Sequence, residues 1–514
     1  IIRARDSMMV TMGEIPRPQT EPTVEHAKRL ARARGIDPDQ VDWDEWARKR
    51  AARTETAIVS LDARGEVQVD DEERELRVRA EQLQCTFPDG RQIQRANIMA
   101  PPGRLAEVHL EDFAITGQHI ELDAAEPWAL VPGSGEVEFY SDQDLDGKKL
   151  DRPLPVVVSW EGKMELRGGV NQLHFEQGVR ATSTDQGREH YTLDCHKLSL
   201  NFIDLPAPQT IPRPAKQPSE YWIFEPLVRR LAGKQSERSS LFGAEAPRRK
   251  FRKKPVFMLA DGAAVALFSE YDPATNALQN RMRMAGPRIA VDLRHQSTNV
   301  EGAGNLLIED YRLPGKRRGQ ARRRSSDSLL GDWAAGGPSQ TLFTWENSMS
   351  FLTRRSLAIF DQNVQMTHRA GAEMVLGRRV AAARNLEVTQ LQKLKGRKTS
   401  LNCSNLLVEF ARQASGEGNE LMGTARSAQL RLIEATGPVT LQDGGKTLVG
   451  QRLIYLRDSG LVTIHAQPGR EAHIYDEDAE SGALRAHWRG PVLRWNLSNN
   501  RIEAAQSTIL LGGR

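Results

Sequence analysis

The chain has 514 residues, a net charge of +4 and 6% aromatic residues, with a mean hydropathy of −0.53. These figures exclude a single large compact core and a global field directed at nucleic acid. They fit a β structure with much surface, built as an elongated array.

Residues 1–15 contain a short alternating strand, MMVTMGEI. Residues 23–53 are the one helical stretch. Thr23 caps a first helix that Gly35 closes, and Asp37-Pro38 opens a second one carrying Trp43 and Trp46. This stretch reads as an insertion packed on a sheet. From Ala57 the hydrophobic period is two wherever the chain looks ordered. SLDARGEVQVDDEERELRVRAEQLQC gives two strands about a charged turn. It has a counterpart in ATGPVTLQDGGKTLVGQRLIY, where Gly65, Val67, Val69 and Leu76 fall on Gly437, Val439, Leu441 and Leu448 without a gap.

A second repeat pairs Gly117–Tyr140 with Gly286–Tyr311, read as strand, turn, strand. Ile120 falls on Ile289, Leu122 on Val291, Val131 on Val300, Gly133 on Gly302 and Gly135 on Gly304. A weaker copy starts at Gly490. Glycines at such points suit a bulge or a tight bend in a sheet. A third repeat follows, in which Trp160, Met164, Phe175 and Val179 match Trp345, Met349, Phe360 and Val364. It closes on a cysteine strand, where Leu198 and Leu200 match Leu406 and Val408. The modules read as 57–204, 257–413 and 414–514, the last one truncated. Residues 1–56 precede them, and a Pro-rich, basic linker at 205–256 and a basic insertion at 313–338 interrupt them.

Cys85, Cys195 and Cys403 lie far apart and form no zinc spacing, so buried free thiols are expected. Asp142, Asp144, Asp146 and Gly147 have the first half of a calcium loop. The twelfth position is Pro153 rather than glutamate, and an Asp-Gly turn accounts for the run. No metal, cofactor or catalytic signature is expected, so the chain reads as non-enzymatic. Arg317, Arg318, Arg322, Arg323 and Arg324 are candidates for phosphate contact. Nucleic acid is disfavoured, because no aromatic residues interleave the arginines. Ile120, Leu122, Trp160, Met164, Phe175, Ile289, Val291, Trp345, Met349 and Phe360 are expected to line the inside of a folded sheet. Alternation alone leaves open whether that inside is a groove or a closed core.

The hairpins of the form Gly-x-Val-x-apolar, charged turn, Leu-x-Gly-x-x-Leu-x-Tyr resemble the OstA-like family. That family includes LptA, LptC and the N-terminal domain of LptD, the lipopolysaccharide-transport proteins. Gly437–Tyr455 carries the clearest match and Gly65–Cys85 a looser one. The resemblance implies an all-β jellyroll or solenoid of stacked antiparallel hairpins, whose apolar groove holds the acyl chains of lipopolysaccharide or another anionic lipid. It also implies edge-to-edge β partners and a place in the periplasm or envelope of a diderm bacterium, with a signal or anchor in a missing N-terminus. The rival reading is a structural or adhesive β-solenoid with a closed core.

Overall fold

The computed structural model describes residues 2–16, 54–71, 76–88, 93–110, 113–123, 128–143, 149–185, 188–204, 253–272, 277–311, 339–370, 397–410, 430–478, 481–497, 499–505 and 508–511, with residues 28, 32, 37, 41–43 and 275. The fold is all-β, as expected. Among the described residues the regular elements are antiparallel strands, joined by turns, and two short 3-10 turns. Of the expected helical insertion, Lys28, Arg32 and Trp43 have helical backbone, and the Lys28 Nζ lies 5.9 Å from the centre of the Trp43 ring. The rest of that stretch lies outside the described residues. So do the basic insertion, all five of its candidate arginines and most of the calcium-loop run.

The chain divides into two compact units, 1–138 with 160–174 and 203–254, and 139–159 with 175–202 and 255–514. In the second unit, long strands bend and feed two half-sheets. Strand Leu278–Asp292 pairs with Gly304–Asp310 through its first half and with Ser297–Glu301 through its second. Strand Leu357–Ala370 does the same with Ser348–Leu352 and Ser339–Trp345. Strand Lys446–Leu456 does so with Ala472–Glu477 and Leu461–His465. Each ladder breaks register at the bend: between Asp261 and Ala264, Asp361 and Val364, Asn402 and Asn405, and Thr436 and Val439.

The first unit is built alike. Strand Leu76–Thr86 pairs with Arg95–Met99 through one half and with Ala106–Leu110 through the other. Its ladder with Thr54–Asp71 breaks between Arg64 and Val67. The repeat legible in the sequence is therefore a repeat of bends. Gly65 (φ 79°) and Gly437 (φ 93°) occupy equivalent breaks, in a region that side chains disfavour.

The Gly-x-Gly repeat differs from the expected strand, turn, strand. Three strands occur in each copy, because the first glycine of the pair marks a bend between two of them. In the first copy these are His119–Asp123, Trp128–Pro132 and Gly135–Gln143. Gly133 (φ 83°) and Gly302 (φ 81°) make the two bends. The Trp160 Nε1 donates to the Gly133 carbonyl at 2.9 Å, and the Trp345 Nε1 to the Gly302 carbonyl at 3.0 Å. A Cβ on Gly135 would lie 2.5 Å from Trp160, and one on Gly304 would lie 2.5 Å from Trp345. The glycines therefore seat the tryptophans, at one corner within each unit.

Candidate functional site

Alternation sends every second residue of each bent strand inward. The inward rows of the two half-sheets meet. In the second unit Phe343 stacks on Phe360 with ring centres 4.8 Å apart and planes 9° apart, and Trp345 lies 5.5 Å from Phe360. All the groove candidates except Leu122 are buried, and Phe360 is 0% exposed. Matched positions share the same burial: Trp160 with Trp345, Met164 with Met349, Val179 with Val364 and Leu198 with Leu406. In this part of the interior the side chains fill the space between the half-sheets.

The interior reaches solvent elsewhere. In the first unit, strand Ser7–Pro16 pairs with Thr54–Asp71, placing Met8 opposite Ala63 and Met12 opposite Ile58. Ala63 and Ile58 are buried, yet Met8 is 44% and Met12 38% exposed. Two flexible apolar side chains thus stand on the inward face within reach of water.

Toward its lip, the interior of the second unit turns polar. Thr341, His368, Thr399, Asp443, Lys446 and Asp476 lie opposite one another on successive strands. The Thr341 hydroxyl lies 2.9 Å from the His368 Nδ1, the Thr399 hydroxyl donates to Asp443 at 2.8 Å, and Lys446 pairs with Asp476 at 3.2 Å. Lys446 also sits 5.4 Å from the Trp495 ring centre, across the interior. Burial pushes the His368 pKa down to about 3. On the opposite face of the same half-sheet, burial raises the pKa of Glu309, which accepts from Gln340 at 2.7 Å.

The sequence reading missed this ladder, although its signal was present. His368 continues the alternation of Val364 and Met366, and Asp443 continues that of Val439 and Leu441. The three cysteines are free and buried, as expected. Burial pushes each thiol up to about 12, which leaves none of them a ready nucleophile. Among the described residues no group of three metal-ligating side chains forms, and no helix is long and apolar enough to cross a membrane.

No family model matches the chain, and no curated protein matches it. Among solved structures, LptH, the LptA homologous periplasmic component of the lipopolysaccharide transport device of Pseudomonas aeruginosa, is 14% identical. The match covers 29% of this chain and 100% of that one, with a TM-score of 0.18. The complex TcdB2-TccC3-Cdc42 is 8% identical over 96% of this chain and 25% of that one, with a TM-score of 0.11. At such scores neither likeness carries an argument, so the functional reading rests on the geometry.

Proposed function

We propose that this chain is a non-enzymatic envelope protein that takes the acyl chains of an amphipathic, anionic lipid of the lipopolysaccharide kind against its apolar inward face. The observation that carries this reading is the pair of inward-facing, solvent-reaching methionines, Met8 and Met12, on the bent-strand interior of the first unit, whose described buried side chains are apolar. Exposed apolar surface of this kind is stabilised by a ligand or partner that covers it. The rest of the interior acts as a rigid spine. The resemblance of the hairpins to the OstA-like family supports the same assignment, with a periplasmic setting and β-edge partners.

The test is native mass spectrometry with added lipopolysaccharide or phospholipid. Uptake at a defined stoichiometry is expected, and it should fall in the Met8→Glu/Met12→Glu variant. The unfolding midpoint of that variant should barely move, because both side chains already meet water. No uptake by the unaltered protein would sink the proposal. It would favour a second reading, a structural spacer with a closed core, which the stacking of Phe343 on Phe360 supports.

A further inference from the structure

Among the described residues, one edge of the second unit carries a row of turns at 293–296, 353–356, 457–460, 497 and 499–500. Backbone hydrogen bonds join their neighbours: Thr353 N to the Gln296 carbonyl at 3.0 Å, Phe410 N to Ser356 at 2.9 Å, Arg457 N to Arg431 at 3.1 Å and Leu497 N to Gly460 at 2.8 Å. Strands about 4.8 Å apart place successive hairpin turns about 10 Å apart. The row is therefore a fixed comb rather than a set of independent loops.

Its teeth are basic. Arg294 and His295 occupy the first of these turns, Arg354 and Arg355 the second and Arg457 the third; Arg501 opens the strand after the fourth, and Arg431 lies near the end of a strand between the second and the third. Their side chains are exposed, apart from the half-buried Arg457. Arg354 is held by the neighbouring turn, donating to Gln296 at 3.3 Å and to the Arg294 carbonyl at 3.4 Å. Among the described residues, the carboxylates along the row are Asp292, Glu409, Asp458 and Glu503. Asp292 lies 2.7 Å from His295 and 3.9 Å from Arg294, Glu409 lies 2.6 Å from Arg431, and Glu503 lies 3.8 Å from Arg501. Among these described residues arginine outnumbers carboxylate, and the paired arginines Arg354 and Arg355 stand at the second turn. Their turn is a 3-10 element, Thr353–Arg355, closed by Ser356 at φ 51°. The equivalent turn of the first repeat, Gly168–Val170 closed by Asn171 at φ 53°, has the same backbone and carries no charge. The backbone does not require the arginines.

We propose that this comb of turns docks on the surface of an anionic, phosphate-bearing membrane. Guanidinium forks suit phosphate oxygens, and several turns at a fixed spacing meet several headgroups at once. The proposal does not depend on what the interior holds.

The test is sedimentation of the whole chain with phosphatidylcholine vesicles, with and without phosphatidylglycerol. Binding is expected only when phosphatidylglycerol is present. Each arginine near such a surface contributes about fivefold in affinity. The Arg354→Gln/Arg355→Gln variant should therefore bind about 25-fold more weakly. Arg452→Gln/Arg494→Gln, which removes the same charge from the outer strand surface, should bind nearly as the unaltered protein does. Equal losses in both variants, or no binding to phosphatidylglycerol vesicles, would overturn the proposal. So would displacement by inorganic phosphate at matched ionic strength, which marks a discrete anion pocket. Lipid uptake into the interior is read separately, so failure of either reading leaves the other standing.

Discussion

His368 shows how much a single side chain can record. It sits on the inward row with Val364 and Met366, and burial holds its pKa near 3, far below the ordinary value of 6.5. The unfolded chain therefore takes up a proton that the folded one refuses. Stability is full above the unfolded pKa and is lost as pH falls from about 6.5 toward the folded value. Urea midpoints measured from pH 7 to pH 4 should drop, and His368→Leu should flatten that slope. An unchanged slope would mean that the imidazole is charged in the fold. The sequence offered the alternation that places His368 inward. It did not offer the desolvation, which depends on the strands packed against this one and not on neighbours along the chain.

At the scale of the element, the bend defines the molecule. Gly437 breaks its ladder at φ 93°, and a Cβ there would collide with the side chain of Ser404. Gly444, at φ 57°, has nothing within 4 Å of an added Cβ. Gly437→Ala should cost about 1–3 kcal/mol in chemical denaturation, from strain and collision together, and clearly more than Gly444→Ala. Similar costs for the two would show that the bend is set elsewhere. The bends were half legible beforehand. Gly65 matched Gly437 at constant spacing, and both make breaks. The bend between Asp361 and Val364 instead uses Gln362 (φ 67°) and Asn363 (φ 49°), which no glycine announces. Gly133 is legible in the sequence as a glycine suited to a bulge or a tight bend, and it makes one; the number of strands around it is not legible, because sequence cannot tell a bent strand from two strands.

At the scale of the whole molecule, each strand rests on its neighbours, so damage spreads outward from one rung. Phe360→Ala removes a ring that touches Phe343 and Trp345 and should cost about 3–5 kcal/mol. Amide exchange should accelerate first in the strands paired with Leu357–Ala370, namely Ser339–Trp345, Ser348–Leu352 and Arg397–Phe410. Uniform acceleration across the second unit would show that it opens as one body. The β class and the inward rows were read from alternation. The division into two units was not, because it follows contacts between strands distant in sequence, at junctions such as Glu138 to Phe139.

The three buried thiols lie on inward rows, in Leu76–Thr86, Arg188–Asp204 and Arg397–Phe410. With pKa values near 12 they are silent toward alkylating reagents while the half-sheets stay together. Their labelling rates therefore form a built-in clock at three places along the chain, one that ticks only when the local interior breathes.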